Sequence, residues 1–184
     1  MDGITGLEQA YAALSKLSSG LSEADLKSPT PCGSWDVRAL LNHTLGAAWM
    51  FTLVNQGSEV GEDAGDVVGD DAAAAVSEAS SSNLASWRQP GALDGDRSYP
   101  FGSFPASAAL MINVGEIVVH SWDLARSTGQ DATIDPDLAT LVYEFYRPIP
   151  LDEYRAHGAF GPEIPVPDSA PVAERMLGLL GRSV

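Results

Sequence analysis

The sequence predicts an all-α protein: a helical bundle with a Pro/Gly-rich C-terminal extension and a terminal helix. Three observations carry this. Apolar residues recur at spacings of three and four along most of the chain. The apolar runs are bounded by helix start and stop residues. Convincing β-hairpin signals, internal repeats and phosphate-binding glycine loops are missing. With 184 residues, 45% of them hydrophobic, the chain is long enough for one domain with a real core. That domain spans 1–184, with its core over about 4–146 and the extension over about 147–184.

The first helix is marked by Leu7, Tyr11, Leu14, Leu17 and Leu21. "SPTPCGS" (28–34) follows as an extended linker, because proline biases the residue before it away from helix. Ser34 is the expected cap of a second helix, with Asp36 in its first turn, running to about Asn55. "SEVGEDAGDVVGDD" (58–71) reads as a solvated acidic loop. An Ala/Ser-rich third helix runs from about Ala72 to Trp87, and "ALDGDRSYPFGSF" reads as irregular, with room for a short extended piece. Pro105 suits the first position of a fourth helix and Gly129 its stop. Asp135 and Pro136 start a short helix through Phe145. A Pro/Gly-rich excursion then leads to a terminal helix from Val172 to Leu180.

Charge narrows the function. The formal net charge is −15 with only two lysines, which argues against nucleic acid and against anionic membrane surfaces. The N-terminus has no secretory pattern, and no apolar stretch is long enough to cross a bilayer, so the expected location is cytoplasmic. Cys32 is the only cysteine, which excludes an intramolecular disulfide and thiolate-rich zinc sites. A small packed loop residue is its simpler reading, ahead of a reactive thiol.

The fourth helix carries the chemistry. Its apolar residues point in most directions, whereas Asn113, Glu116, His120 and Asp123 follow spacings of three, four and three and share one stripe. A carboxylate on such a helix must be paired, protonated or metal-bound. In the second helix, His43 lies on the stripe Leu40, His43, Ala47, Met50. Two helices of a bundle that each turn an imidazole inward can place His43, Glu116 and His120 within one coordination sphere. Two nitrogens and one carboxylate oxygen leave a position open for water or substrate. A satisfied core histidine or a buried Glu–His couple explains the same spacing. "EYRAH" repeats it at Glu153 and His157, but among prolines and glycines, so His157 ranks below His43 as third ligand. Asn113 and Asp123 are candidates for supporting positions or for a polar pocket wall. No GxSxG elbow appears, and the carboxylates of a di-iron bundle are not visible.

"SPTPCGSWDVRALLNHTLG", "GEIVVHSWDLARSTGQ" and "FGPEIPVPDSAPVAERMLGLLGR" together resemble the DinB/YfiT-like metalloenzyme superfamily. The nearest branch is the actinobacterial group related to the N-terminal domain of mycothiol-dependent maleylpyruvate isomerase. The resemblance implies a four-helix bundle and a divalent metal, zinc in the usual assignment, with nickel, manganese or iron as alternatives. The family's ligands fall on His43, Glu116 and His120 of this sequence. The isomerase carries a further C-terminal domain, whereas this sequence ends soon after "LGLLGR". The implied function is S-transfer to, or isomerisation of, a small electrophile with a low-molecular-weight thiol such as mycothiol. Asn113, Asp123 and Arg126 are the candidates for orienting groups. A metal-water hydrolase and a non-catalytic metal-binding or detoxification module are the alternatives. The expected partners are therefore a small thiol and a small electrophile, with a homodimer left open.

Overall fold

The computed structural model describes residues 1–61 and 65–184. Residues 62–64, part of the expected acidic loop, lie outside the described residues. The chain is mostly helical, and the described residues divide into two compact units, 2–132 and 133–184, with Met1 grouped with the second.

In the first unit, α1 spans Gly3–Ser18 and is capped by Asp2, whose side chain accepts from the Thr5 amide. Its buried face is Leu7, Ala10, Tyr11, Leu14 and Leu17; Leu21 lies beyond its end. The helix α2 spans Val37–Asn55, α3 Ala72–Trp87 and α4 Ala106–Thr128. Helix α1 packs on α3 and α4, and α2 packs on the same two. A buried polar network ties the four together. The Tyr11 hydroxyl donates to Asn83 Oδ1 (3.0 Å), and Asn83 Nδ2 donates to the Ala48 carbonyl (2.9 Å) and Thr52 Oγ1 (3.2 Å). Trp87 Nε1 donates to Asn113 Oδ1 (2.9 Å). Such groups are tolerated inside only when paired, so the network favours one helix register.

Several local expectations are corrected. The segment at 28–34 starts extended, with Pro29 bridging Asp36, but then closes on itself rather than running on as a linker: Thr30 N–H donates to the Trp35 carbonyl (3.2 Å), and Trp35 N–H donates to that of Cys32 (3.3 Å). Because Trp35 stays in this loop, α2 starts later than Ser34 suggests. Asp36 is its cap, in extended conformation with its carboxylate accepting from the Ala39 amide. Pro105 sits one residue before α4 rather than in its first position, and Gly129 closes α4 with a left-handed φ of 67°. The acidic loop is partly docked: Asn42 Oδ1 accepts from the Val67 and Val68 amides, and Val68 is buried. "ALDGDRSYPFGSF" holds an antiparallel hairpin, β1 (Asp96–Tyr99) and β2 (Gly102–Pro105), with Tyr99 opposite Gly102. Its turn is Pro100–Phe101, which lacks the Asn-Gly or Asp-Gly pair that announces a hairpin.

In the second unit, α5 (Pro136–Tyr146) packs on α7 (Val172–Leu179). Asp135 caps α5 by accepting from the Asp137 and Leu138 amides. Between them "DEYRA" forms the short helix α6 (Asp152–Ala156), so the Pro/Gly-rich context does not prevent a turn of helix at Glu153. The 157–171 segment is held by Ile164 N–H donating to the Gly178 carbonyl (2.9 Å) and by Arg155, which donates to the Gly161 carbonyl and also to the Leu179 carbonyl of α7 (2.7 Å).

Candidate metal centre

Helix α4 places Glu116 and His120 one turn apart, and α2 brings His43 against them. His43 Nε2 lies 2.7 Å from Glu116 Oε1, and His120 Nε2 lies 3.2 Å from the same oxygen. The three donor atoms all fall within 4.8 Å of one another. Bonds of about 2.0–2.2 Å to one divalent ion would set tetrahedral donors roughly 3.3–3.6 Å apart. Glu116 Oε1 is buried, and no hydrogen bond of proper geometry reaches it despite the two nearby nitrogens. Two imidazole nitrogens crowding one unsatisfied carboxylate oxygen is a donor set that fits a cation.

The three residues differ in exposure. The His43 side chain is 42% exposed, Glu116 22% and His120 10%. The apolar stripe around His43 suggested an inward residue, but the imidazole stands at the rim, with Leu40 buried and Ala47 and Met50 half-buried. The site therefore opens on the His43 side.

The electrostatics follow from this packing. Burial alone would raise the Glu116 carboxyl, but the charge of His120 and the approach of both imidazoles outweigh it and hold the group well below the usual carboxylate range. For His120, burial would lower the imidazole; the Glu116 charge, with the contacts to Asp123 and Cys32, raises it well above its ordinary value.

The other sequence candidates have separate placements. Asp123 is fully buried, with Oδ2 3.0 Å from His120 Nδ1. Asn113 is buried one turn before Glu116 and accepts from Trp87. Arg126 is exposed, its guanidinium 5.5 Å from the Trp122 ring centroid, and no hydrogen bond or ion pair joins it to the three donors. His157 belongs to the 133–184 unit, exposed at the end of α6, and is in neither ligand-type grouping among the described residues.

Two neighbours were not legible as site residues. Cys32 Sγ lies 3.1 Å from Asp123 Oδ2 and 3.9 Å from His120 Nδ1. The Trp35 ring centroid lies 4.6 Å from that of His43 and 6.3 Å from that of His120. Both come from the loop before α2, and only its closure brings them to α4.

The family model for the mycothiol maleylpyruvate isomerase N-terminal domain matches residues 7–125, well over half of the chain. The chain belongs to that family. The matched span contains Cys32, Trp35, His43, Glu116, His120 and Asp123, and it stops before Arg126 and before the 133–184 unit. Among curated relatives of the chain are two uncharacterized proteins from two strains of Mycobacterium tuberculosis. Each is 27% identical over 190 aligned residues that cover 100% of this chain and 100% of the relative. No solved structure matches. Among the described residues, no helix is long and apolar enough to cross a membrane.

Proposed function

We propose that this protein is a divalent-metal-dependent enzyme that uses a mycothiol-like thiol for S-transfer to, or isomerisation of, a small electrophile. The observation that carries the reading is the crowding of His43 Nε2 and His120 Nε2 on the unsatisfied Glu116 Oε1. Zinc suits two imidazoles and one carboxylate, and the ring of α1 to α4 is then the four-helix bundle of the family. When bound, the ion supplies Lewis acidity that depresses the pKa of a coordinated thiol and holds it as thiolate. The chain's own groups do the rest. Glu116 supplies the negative charge that a cation needs in a half-buried site. His120, enclosed by protein, fixes the inner boundary. His43 and the Trp35 ring form the rim, where a small thiol would enter against an apolar wall. The working environment is cytoplasmic, with the partners a small thiol and a small electrophile, and a homodimer is the assembly to test.

The experiment is a thiol titration of the cobalt(II)-substituted protein followed by visible absorption. A new sulfur-to-cobalt charge-transfer band, saturating at sub-millimolar mycothiol or a close analogue, is the expected result. Stoichiometric cobalt with no spectral response to thiol, together with turnover of a hydrolysable ester or amide, would replace this reading with the hydrolase.

A further inference from the structure

The proposed metal reading uses only one edge of His120, and the opposite edge is as fully furnished. Nδ1 meets Asp123 Oδ2 at 3.0 Å, and the same oxygen receives the Cys32 thiol at 3.1 Å. We propose that Asp123 and Cys32 form a positioning relay for His120, in which the thiol orients the carboxylate and the carboxylate holds the Nδ1 proton. This inference rests on the ligand set proposed above and adds to it the residues that aim it.

Three observations support the relay. An imidazole that binds through Nε2 must keep its proton on Nδ1, and a carboxylate at Nδ1 selects that tautomer and fixes the plane of the ring. Asp123 is fully buried, so a rotation of its carboxylate away from these partners would strand charge inside the protein. Cys32 is delivered by a loop that is itself pinned. Its N–H donates to Thr30 Oγ1 (3.1 Å), Thr30 Oγ1 donates to the Trp35 carbonyl (2.9 Å), and Trp35 N–H donates back to the Cys32 carbonyl (3.3 Å). The loop that supplies the thiol thus also sets Trp35 beside His43, so one closure serves both histidines.

Cys32 Sγ, His120 Nδ1 and Asp123 Oδ2 also lie close enough together to hold an ion of their own. Their chemistry points elsewhere. Here the thiol S–H donates to the carboxylate oxygen, and an ionised carboxylate can only accept from Nδ1, which puts a proton on that ring nitrogen. At Glu116 the corresponding oxygen has two nitrogens near it and no hydrogen bond. The first arrangement is complete with protons alone, and the second is not.

The test is competitive zinc titration against a chromophoric chelator for the full chain and for Asp123→Asn, Cys32→Ala and Cys32→Ser. Melting temperatures of the metal-free proteins serve as the fold control. Asp123→Asn, which keeps the shape but not the charge, should weaken zinc about 10–100-fold. Cys32→Ala should weaken it about 3–10-fold, and Cys32→Ser, which restores a donor, should return to within about twofold of the parent. Affinity lost with unchanged metal-free melting and recovered by serine marks a positioning role, because a packing defect would lower the melting temperature and ignore the donor. Should Asp123→Asn fail to fold, the alanine and serine pair decides alone. Equal zinc affinity in the parent and the Cys32 variants overturns the relay and leaves the ligand set standing. A parent chain that binds no zinc overturns the ligand set and the relay together. Two zinc ions per parent chain would make Cys32 and Asp123 ligands, and that also ends the relay.

Discussion

His43, Glu116 and His120 sit in very different amounts of solvent, yet the proposed centre needs all three. Replacing any one by alanine is expected to abolish stoichiometric metal, whereas His157→Ala should retain it. Elemental analysis of purified protein decides this, and full metal in His43→Ala would remove His43 from the set. Glu116 and His120 were legible because both lie on one helix, where a spacing of four fixes their neighbourhood. His43 was legible as a ligand candidate, but its exposure was not, since a helical stripe says nothing about what covers it from other elements. Cys32 and Trp35 were illegible for a different reason. Their contacts with Asp123 and His43 depend on a loop closed by Thr30, and loop closure leaves no period in a sequence.

At the scale of elements, the long helices were readable because their buried faces and end signals agree. Glycine after α4 and aspartate before α5 stand where the helices stop and start. The hairpin was not readable: its strands are four residues each and mostly exposed, and its turn uses proline and phenylalanine. Exposed strands of that length have no apolar alternation to detect. Its stability comes from aromatic packing, with Tyr99 5.0 Å from Phe51 and 5.3 Å from Phe101 between ring centroids. In the 133–184 unit, Gly178 is the sensitive position. A Cβ there would stand 2.5 Å from the Ile164 carbonyl oxygen and 2.5 Å from Val166 Cγ2. A backbone carbonyl cannot swing aside cheaply, so Gly178→Ala should destabilise this unit by about 1–3 kcal/mol. Hydrogen exchange at the Ile164 amide, which donates to the Gly178 carbonyl, is the direct readout and should accelerate. Unchanged protection there would mean the segment moves as a whole to admit the methyl.

At the scale of the whole molecule, the core does not pass through the proposed ion. Leu7, Leu14, Leu41, Phe51, Val76 and Ile117 are almost fully buried on four helices already tied by the Asn83 network. Chelation should therefore lower the melting temperature modestly and leave the helical circular dichroism largely intact, unlike a zinc finger. Unfolding on chelation at room temperature would contradict this. The formal charge of −15 bears on substrate choice, because a field of that sign repels dianions over several ångströms. Maleylpyruvate should accordingly be turned over poorly by this chain in a mycothiol-dependent assay, and a neutral or cationic electrophile better. Rates typical of a dedicated isomerase, with no added partner, would refute that expectation. Trp35 has a photophysical consequence. Of the four indoles, Trp87 and Trp122 are buried in the core, while Trp35 packs on an imidazole of the proposed centre. A paramagnetic ion held there would quench Trp35 emission, because its ring packs on a proposed ligand imidazole. The fluorescence spectrum would then serve as an occupancy gauge that needs no label.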